Sequence, residues 1–235
     1  MGGTGTGTSI ISTYPGSSLA ATYVGGVIDD IRAEVNDPDS TRFTDATILS
    51  VLKKAIRRCN RIAQRNGLNF AKAYVTLTTV ANQAYVSLPT DFDTAFGKKC
   101  LYRDSNHTQI IPMTEDEWET LVSSAALSYC LIDQTYNVIR LTGTPDAAEN
   151  LTFWYYPIIN MDAWTTSTIA TDEMPWDGKL NDIIVEYSAL RLKNLDEMDA
   201  SIDLQLMTDL ENQVLQAYAP LAPQIVDGKG WINSA

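Results

Sequence analysis

Apolar residues recur at three- and four-residue spacing through Ile48, Leu52, Ile56, Cys59 and Ile62, the stripe of a helix that buries one face. Thr44 supplies an N-cap and Asp45 a negative charge in the first turn, where the helix dipole favours it. Asn66-Gly67 supplies the left-handed stop. Beyond it the period changes. The run from Tyr74 to Val80 alternates, Asn82-Gln83 reads as a turn, and Ala84 to Leu88 returns, which predicts a hairpin. Further strand-like runs cover Lys99–Arg103, Leu127–Ile132, Asn137–Leu141 and Leu151–Tyr156. Between them, Thr114 and Glu117 match a capping box opening a short helix that carries Trp118 and Leu121.

From about Gly178 the period is helical again. Leu180, Ile183, Ile184, Val185, Tyr187, Leu190, Leu192 and Leu195 spread apolar groups around much of one helix, which predicts enclosure on several sides. The next helix is one-sided, with Ile202, Leu206, Leu210, Val214 and Tyr218 in line; Pro220 and Pro223 end it. The fold class expected is α+β. A helical bundle core of about four helices (19–72 and 175–219) carries an inserted small antiparallel β-sandwich or barrel-like domain (73–174). Both ends are extended arms. Residues 1–18 are mostly Gly, Thr and Ser, too polar to order themselves alone. Residues 220–235 hold Ile225, Val226, Trp231 and Ile232 with no helical period, which predicts a docking tail that a partner receives, with a tail folded back on its own domain as the plainer alternative.

Composition narrows this little. Over 235 residues, 45% apolar and 20% charged is ordinary for a globular protein. The net charge of −12 argues against the whole molecule gripping nucleic acid. The longest apolar stretch, Leu121–Ile132, is too short for a bilayer, and the first basic residue is Arg32, so no secretory leader is expected. Cys59, Cys100 and Cys130 fit neither a disulfide framework nor metal-ligand spacing. Cys59 lies in the apolar stripe and reads as a small buried hydrophobe.

No catalytic constellation is visible. His107 is the sole histidine and sits in a polar loop without a nucleophile motif around it. Gly3-Thr4-Gly5-Thr6-Gly7 imitates a phosphate loop but has no strand before it. Glu115, Asp116, Glu117 and Glu119 crowd one helical turn, where a glycosidase pair needs two carboxyls facing across a cleft. The expectation is a protein that is not an enzyme, with no cofactor and no metal.

Charge is informative in one place. Lys53, Lys54, Arg57, Arg58, Arg61 and Arg65 put six of seventeen cations into thirteen positions. Lys54, Arg57, Arg58, Arg61 and Arg65 share the helix side away from the stripe. This predicts an interface to an acidic neighbour, with a solvated face as the plainer alternative. Direct DNA binding is disfavoured because no aromatics interleave with the charges.

Four segments in this order resemble the head-to-tail adaptor (connector or neck) proteins of tailed bacteriophages. Arg42 to Leu49 is similar to the adaptors' lead into the second helix, and Leu88-Pro89-Thr90-Asp91-Phe92 to the turn into their β-insertion. Phe153 to Pro157 resembles the strand leaving it, and Met174-Pro175-Trp176 with Ile183 to Tyr187 the return to the long helices. The resemblance covers about residues 25–219. It implies a virion protein of the neck or tail, made in the host cytoplasm, that assembles as a ring, usually of twelve copies. Its partners would be the portal protein, tail or nozzle and tube proteins, and other copies of itself. The ring would dock beneath the portal through the residue 220–235 tail and pass double-stranded DNA without sequence-specific binding or a membrane. A negative lumen would let the genome slide. Other virion subunits (tail tube, second neck ring, capsid accessory) are the next reading, and a cell-wall hydrolase the third.

Overall fold

In the computed structural model, which describes residues 22–121, 127–197 and 201–218, two helices come first, α1 (Val24–Glu34) and α2 (Asp45–Asn66). Thr44 caps α2 by accepting from the Thr47 amide at 3.3 Å. Gly67 ends it at φ 64°, its N–H bonding the Ala63 carbonyl. The predicted stripe is buried, with Ile48, Leu52, Ile56, Cys59 and Ile62 all in the core.

Between the two helices lies a buried ionic staple that the sequence did not announce. Arg32 on α1 donates to Asp37 Oδ2 at 3.2 Å, to the Phe43 carbonyl at 3.0 Å and to Asp45 Oδ1 at 2.5 Å. Asp37 in turn accepts from the amides of Thr41, Arg42 and Phe43 at 2.9, 3.0 and 2.8 Å. A buried guanidinium and carboxylate are tolerable because nearly every donor and lone pair is used.

A turn of 3-10 helix at Asn69–Ala71 leads into eight strands: β1 (Ala73–Thr78), β2 (Tyr85–Ser87), β3 (Phe92–Ala95), β4 (Leu101–Arg103), β5 (Gln109–Met113), β6 (Tyr129–Asp133), β7 (Val138–Leu141) and β8 (Asn150–Pro157). They form one sheet in the order β1-β8-β4-β5-β6-β7-β2, with β3 also on β8. The end strands β1 and β2 approach each other, so the sheet is a nearly closed barrel. Val75, Leu101, Ile110, Ile139, Phe153 and Tyr155 fill it.

Three expectations change here. First, β1 and β2 do not pair as a hairpin. All of β1 pairs with β8, from Ala73 opposite Tyr155 to Thr78 opposite Asn150. The intervening loop instead bonds the residue 145–149 segment, through Thr79 N–H to Glu149 O and Asn82 N–H to Pro145 O. Second, the sheet is not wholly antiparallel, because β5 and β6 run parallel. A parallel pair needs a crossover, and α3 (Glu115–Thr120) lies within it. Third, β3 and β5 are strands the runs did not predict; Pro112 disguises β5.

After β8, Met161 and Met174 join the core of α1 and α2, and Trp164 and Ile169 pack against it. A second 3-10 turn, Pro175–Gly178, holds Trp176 and Asp177 at φ 59° and 55°. The chain then returns as α4 (Asn181–Glu197) and α5 (Ser201–Tyr218). α4 packs on α1, α2 and α5, with Leu180, Ile184, Tyr187 and Leu192 buried and Leu195 exposed, so the several-sided enclosure its sequence predicts stops short of its last turn. On the α5 stripe only the Val214 side chain is described, and it is buried; Ile202, Leu206, Leu210 and Tyr218 lie outside the described side chains.

Where the helices meet the barrel, aromatic rings interlock. The Tyr156 hydroxyl donates to the Leu68 carbonyl at 3.1 Å, and Phe96 packs on the Tyr156 ring at 5.5 Å. Lys72 Nζ sits over the Phe96 and Trp154 rings at 4.9 and 4.7 Å, a cation held against aromatic faces. Burial lowers the Lys72 pKa.

Candidate interaction surface

α2 presents its cations on one side because its other side is spent on the core. At 100° per residue, Lys54, Arg57, Arg58, Arg61 and Arg65 fall within an arc of about 100°, and all five are exposed. Lys53 leaves this arc and donates to the Trp164 carbonyl at 2.9 Å.

The structure divides the predicted patch. Arg58 is tied to Glu211 of α5 by its Nε and Nη2, and that hydrogen bond raises its pKa. It therefore serves the chain's own packing. Lys54, Arg57, Arg61 and Arg65 have no hydrogen bond or ion pair among the described residues. Lys54 also edges an open hollow of about 240 Å³ lined by Val51, Arg191, Asn194 and Leu195. Leu195 is 68% exposed there, so the charged face has an apolar border. The other predicted contact residues, Ile225, Val226, Trp231 and Ile232, lie outside the described residues, as do 1–18.

The α3 acids adopt distinct roles. Glu117 turns back to accept from the Thr114 amide at 2.9 Å while its own amide donates to Thr114 Oγ1 at 3.3 Å, completing the predicted capping box. The Thr114 bonds lower its pKa. The Glu115, Asp116 and Glu119 carboxylates are exposed, without hydrogen bond or ion pair among the described residues.

Among the described residues, candidate chemistry is not gathered in one place. His107 is exposed in the β4–β5 turn at φ 53°. The three cysteines are buried and free. Burial pushes the Cys59 thiol up to about 12, Cys100 to about 11 and Cys130 higher still, so the nucleophilic thiolate is suppressed. Among the described residues there is no cluster of three or more His, Cys, Asp or Glu able to hold a metal ion, and no helix is long and apolar enough to cross a membrane.

Sequence reasoning missed three participants. Arg32 and Asp37 carry a faint signal, an Asn36-Asp37-Pro38 turn preceding Arg42-Phe43-Thr44, since Asp before Pro favours a loop built on its carboxylate. Glu211 carries a second, as an acid on the polar side of the last helix facing a basic one.

Comparison with known proteins gives one match in family. The family described as SU10 adaptor protein matches residues 22–224, which spans α1 through α5 and ends before Ile225. No curated protein matches the chain.

Proposed function

We propose a mechanical role for this chain, which belongs to the SU10 adaptor protein family: a structural subunit of a phage head-to-tail adaptor ring. The family supports a phage adaptor-type structural protein, a component of the virion that interacts with other virion proteins. In the finer reading, copies form a ring, about twelve by analogy with connector proteins, that docks beneath the portal and bridges it to the tail. The ring forms part of the DNA conduit. α1, α2, α4 and α5 act as one bundle that carries the barrel, the residue 220–235 tail reaches the portal, and no catalysis is involved.

The observation that carries this reading is the unpaired basic face of α2 on a chain of net charge −12. Lone cations on an acidic molecule gain little from solvent exposure alone and much from an acidic neighbour. Because Arg58 is held by Glu211, the informative variant is Arg57→Glu/Arg61→Glu/Arg65→Glu, which leaves that pair intact. Electron microscopy of particles carrying this variant is expected to show necks depleted of the subunit at unchanged expression. Particles with normally occupied necks would reduce the face to a solvated one. Removal of residues after Ala219 is expected to leave a folded chain that no longer binds portal; undiminished portal binding would overturn the role given to the tail.

A further inference from the structure

We infer that the basic face of α2 docks on the acidic outer face of α3 in a second copy of this chain. The inference rests on the ring reading and names the surface that the basic face meets.

The argument begins with symmetry. A two-fold contact centred on this face would set Lys54, Arg57, Arg61 and Arg65 against the same four cations of the partner. The basic face must therefore meet a different surface, and in a ring that contact is heterologous, running head to tail from copy to copy. At −12 each, copies repel at long range. Close approach then needs opposite charges concentrated where they touch.

α3 supplies that concentration. Positions 115–119 hold four acids in five residues, and the capping box engages only Glu117. At 100° per residue, Glu115, Asp116 and Glu119 span an arc of about 100°, and the free cations of α2 span about 80°. Two exposed arcs of matched width and opposite sign are thus left without partners among the described residues. Their edges match as well. The hollow beside Lys54 exposes Leu195, and half-buried Trp118 and Leu121 border the acids of α3.

Charge reversal in the full-length chain tests this directly. One variant carries Arg57→Glu, Arg61→Glu and Arg65→Glu. The other carries Glu115→Lys, Asp116→Lys and Glu119→Lys. Both keep a net negative charge, so any attraction between them is local. Sedimentation velocity at low ionic strength is expected to show each variant alone associating about tenfold more weakly than the unmodified chain. An equal mixture of the two, and the chain carrying all six substitutions, are expected to recover, with added salt dispersing both. If a reversed helix fails to fold by circular dichroism, Arg61→Gln and Glu119→Gln replace it and are expected to weaken association less. Weakening by the α2 variant with no recovery in the mixture removes α3 as the partner and leaves the ring reading standing. An unmodified chain that stays monomeric at every concentration and is absent from particle necks overturns both.

Discussion

Around α1, α2 and α4 the buried surface is largely aliphatic, and one edge of it is fixed by charge, with Arg32 and Asp37 only 5% and 2% exposed. The barrel is filled differently. Phe92, Phe153 and Tyr155 stack with centroids 5.7 to 6.1 Å apart, and two thiols, Cys100 and Cys130, complete the interior. Its ion pairs, Arg103–Glu149 and Arg140–Asp133, sit at the surface with partly exposed arginines. One region depends on a satisfied buried charge, the other on the shape of aromatic rings. Packing defects should therefore strike the barrel hardest, and acid should strike the helices first.

The largest effect is expected from Phe153→Ala. Phe153 is fully buried on β8, the strand that β1, β3 and β4 all pair with. Removing the ring leaves a cavity costing about 4 kcal/mol, or about 12 °C in Tm. Amide exchange should lose protection in β1, β4 and β8 before α1 and α2. Equal loss in both regions would show that they open as one unit and that the contrast is only of composition.

Arg32→Leu is expected to be next, lowering Tm by about 8 °C. The substitution strands Asp37 and the Phe43 carbonyl, both of which now accept from the guanidinium. Exchange should quicken in α1 and in the first turns of α2 while β8 stays protected. Loss that began in the barrel would break the assignment of this staple to the helices.

These two residues also mark where sequence reading stops. α2 is legible because its cap, stripe and stop are all local: Thr44, Ile48 to Ile62, and Gly67. The strands β1, β2, β4, β6, β7 and β8 are legible as runs for the same reason. Their partners are not, since β1 finds β8 between 72 and 82 residues on, from Thr78 opposite Asn150 to Ala73 opposite Tyr155, and the Asn82-Gln83 turn signal that suggests a hairpin instead serves a loop pinned to Pro145 and Glu149. Turn chemistry constrains the next few residues, whereas barrel closure depends on which apolar faces meet. The basic face of α2 was likewise readable from spacing, but the Arg58–Glu211 pair was not, because it joins helices 153 positions apart.

Acid should separate the two regions more gently. Burial alone would raise the Asp37 pKa, yet the hydrogen bonds from Phe43, Arg42 and Thr41 outweigh it and hold the group below the ordinary carboxyl value. A depressed native pKa means that the unfolded chain binds the proton first. The stabilisation is therefore complete above the ordinary value near 4 and is lost as pH falls through the lower native one. Exchange measured on that descent should show α1 and the 37–44 loop opening before the barrel strands. At the alkaline end the buried thiols reverse the sign. The folded chain keeps protons that the unfolded one releases, so stability declines as pH rises from the ordinary thiol value towards about 11, the Cys100 value.

The smallest effect should come from Thr114→Ala, which belongs to the barrel by sequence position but to neither region by chemistry. α3 has no buried residue, so its order comes from its cap and not from packing. Losing the Thr114 side chain removes the acceptor for the Glu117 amide and costs about 1 kcal/mol within the helix. With no core contact to transmit the loss, amides 115–120 should exchange about fivefold faster while β5 and β6 keep their protection and Tm is nearly unchanged. Protection lost along β5 and β6 as well would mean that α3 holds the parallel crossover in place. A purely local loosening would instead make α3 an appendage whose acids are kept in register by its capping box, and copy-to-copy association should then weaken in this variant although its charge is untouched.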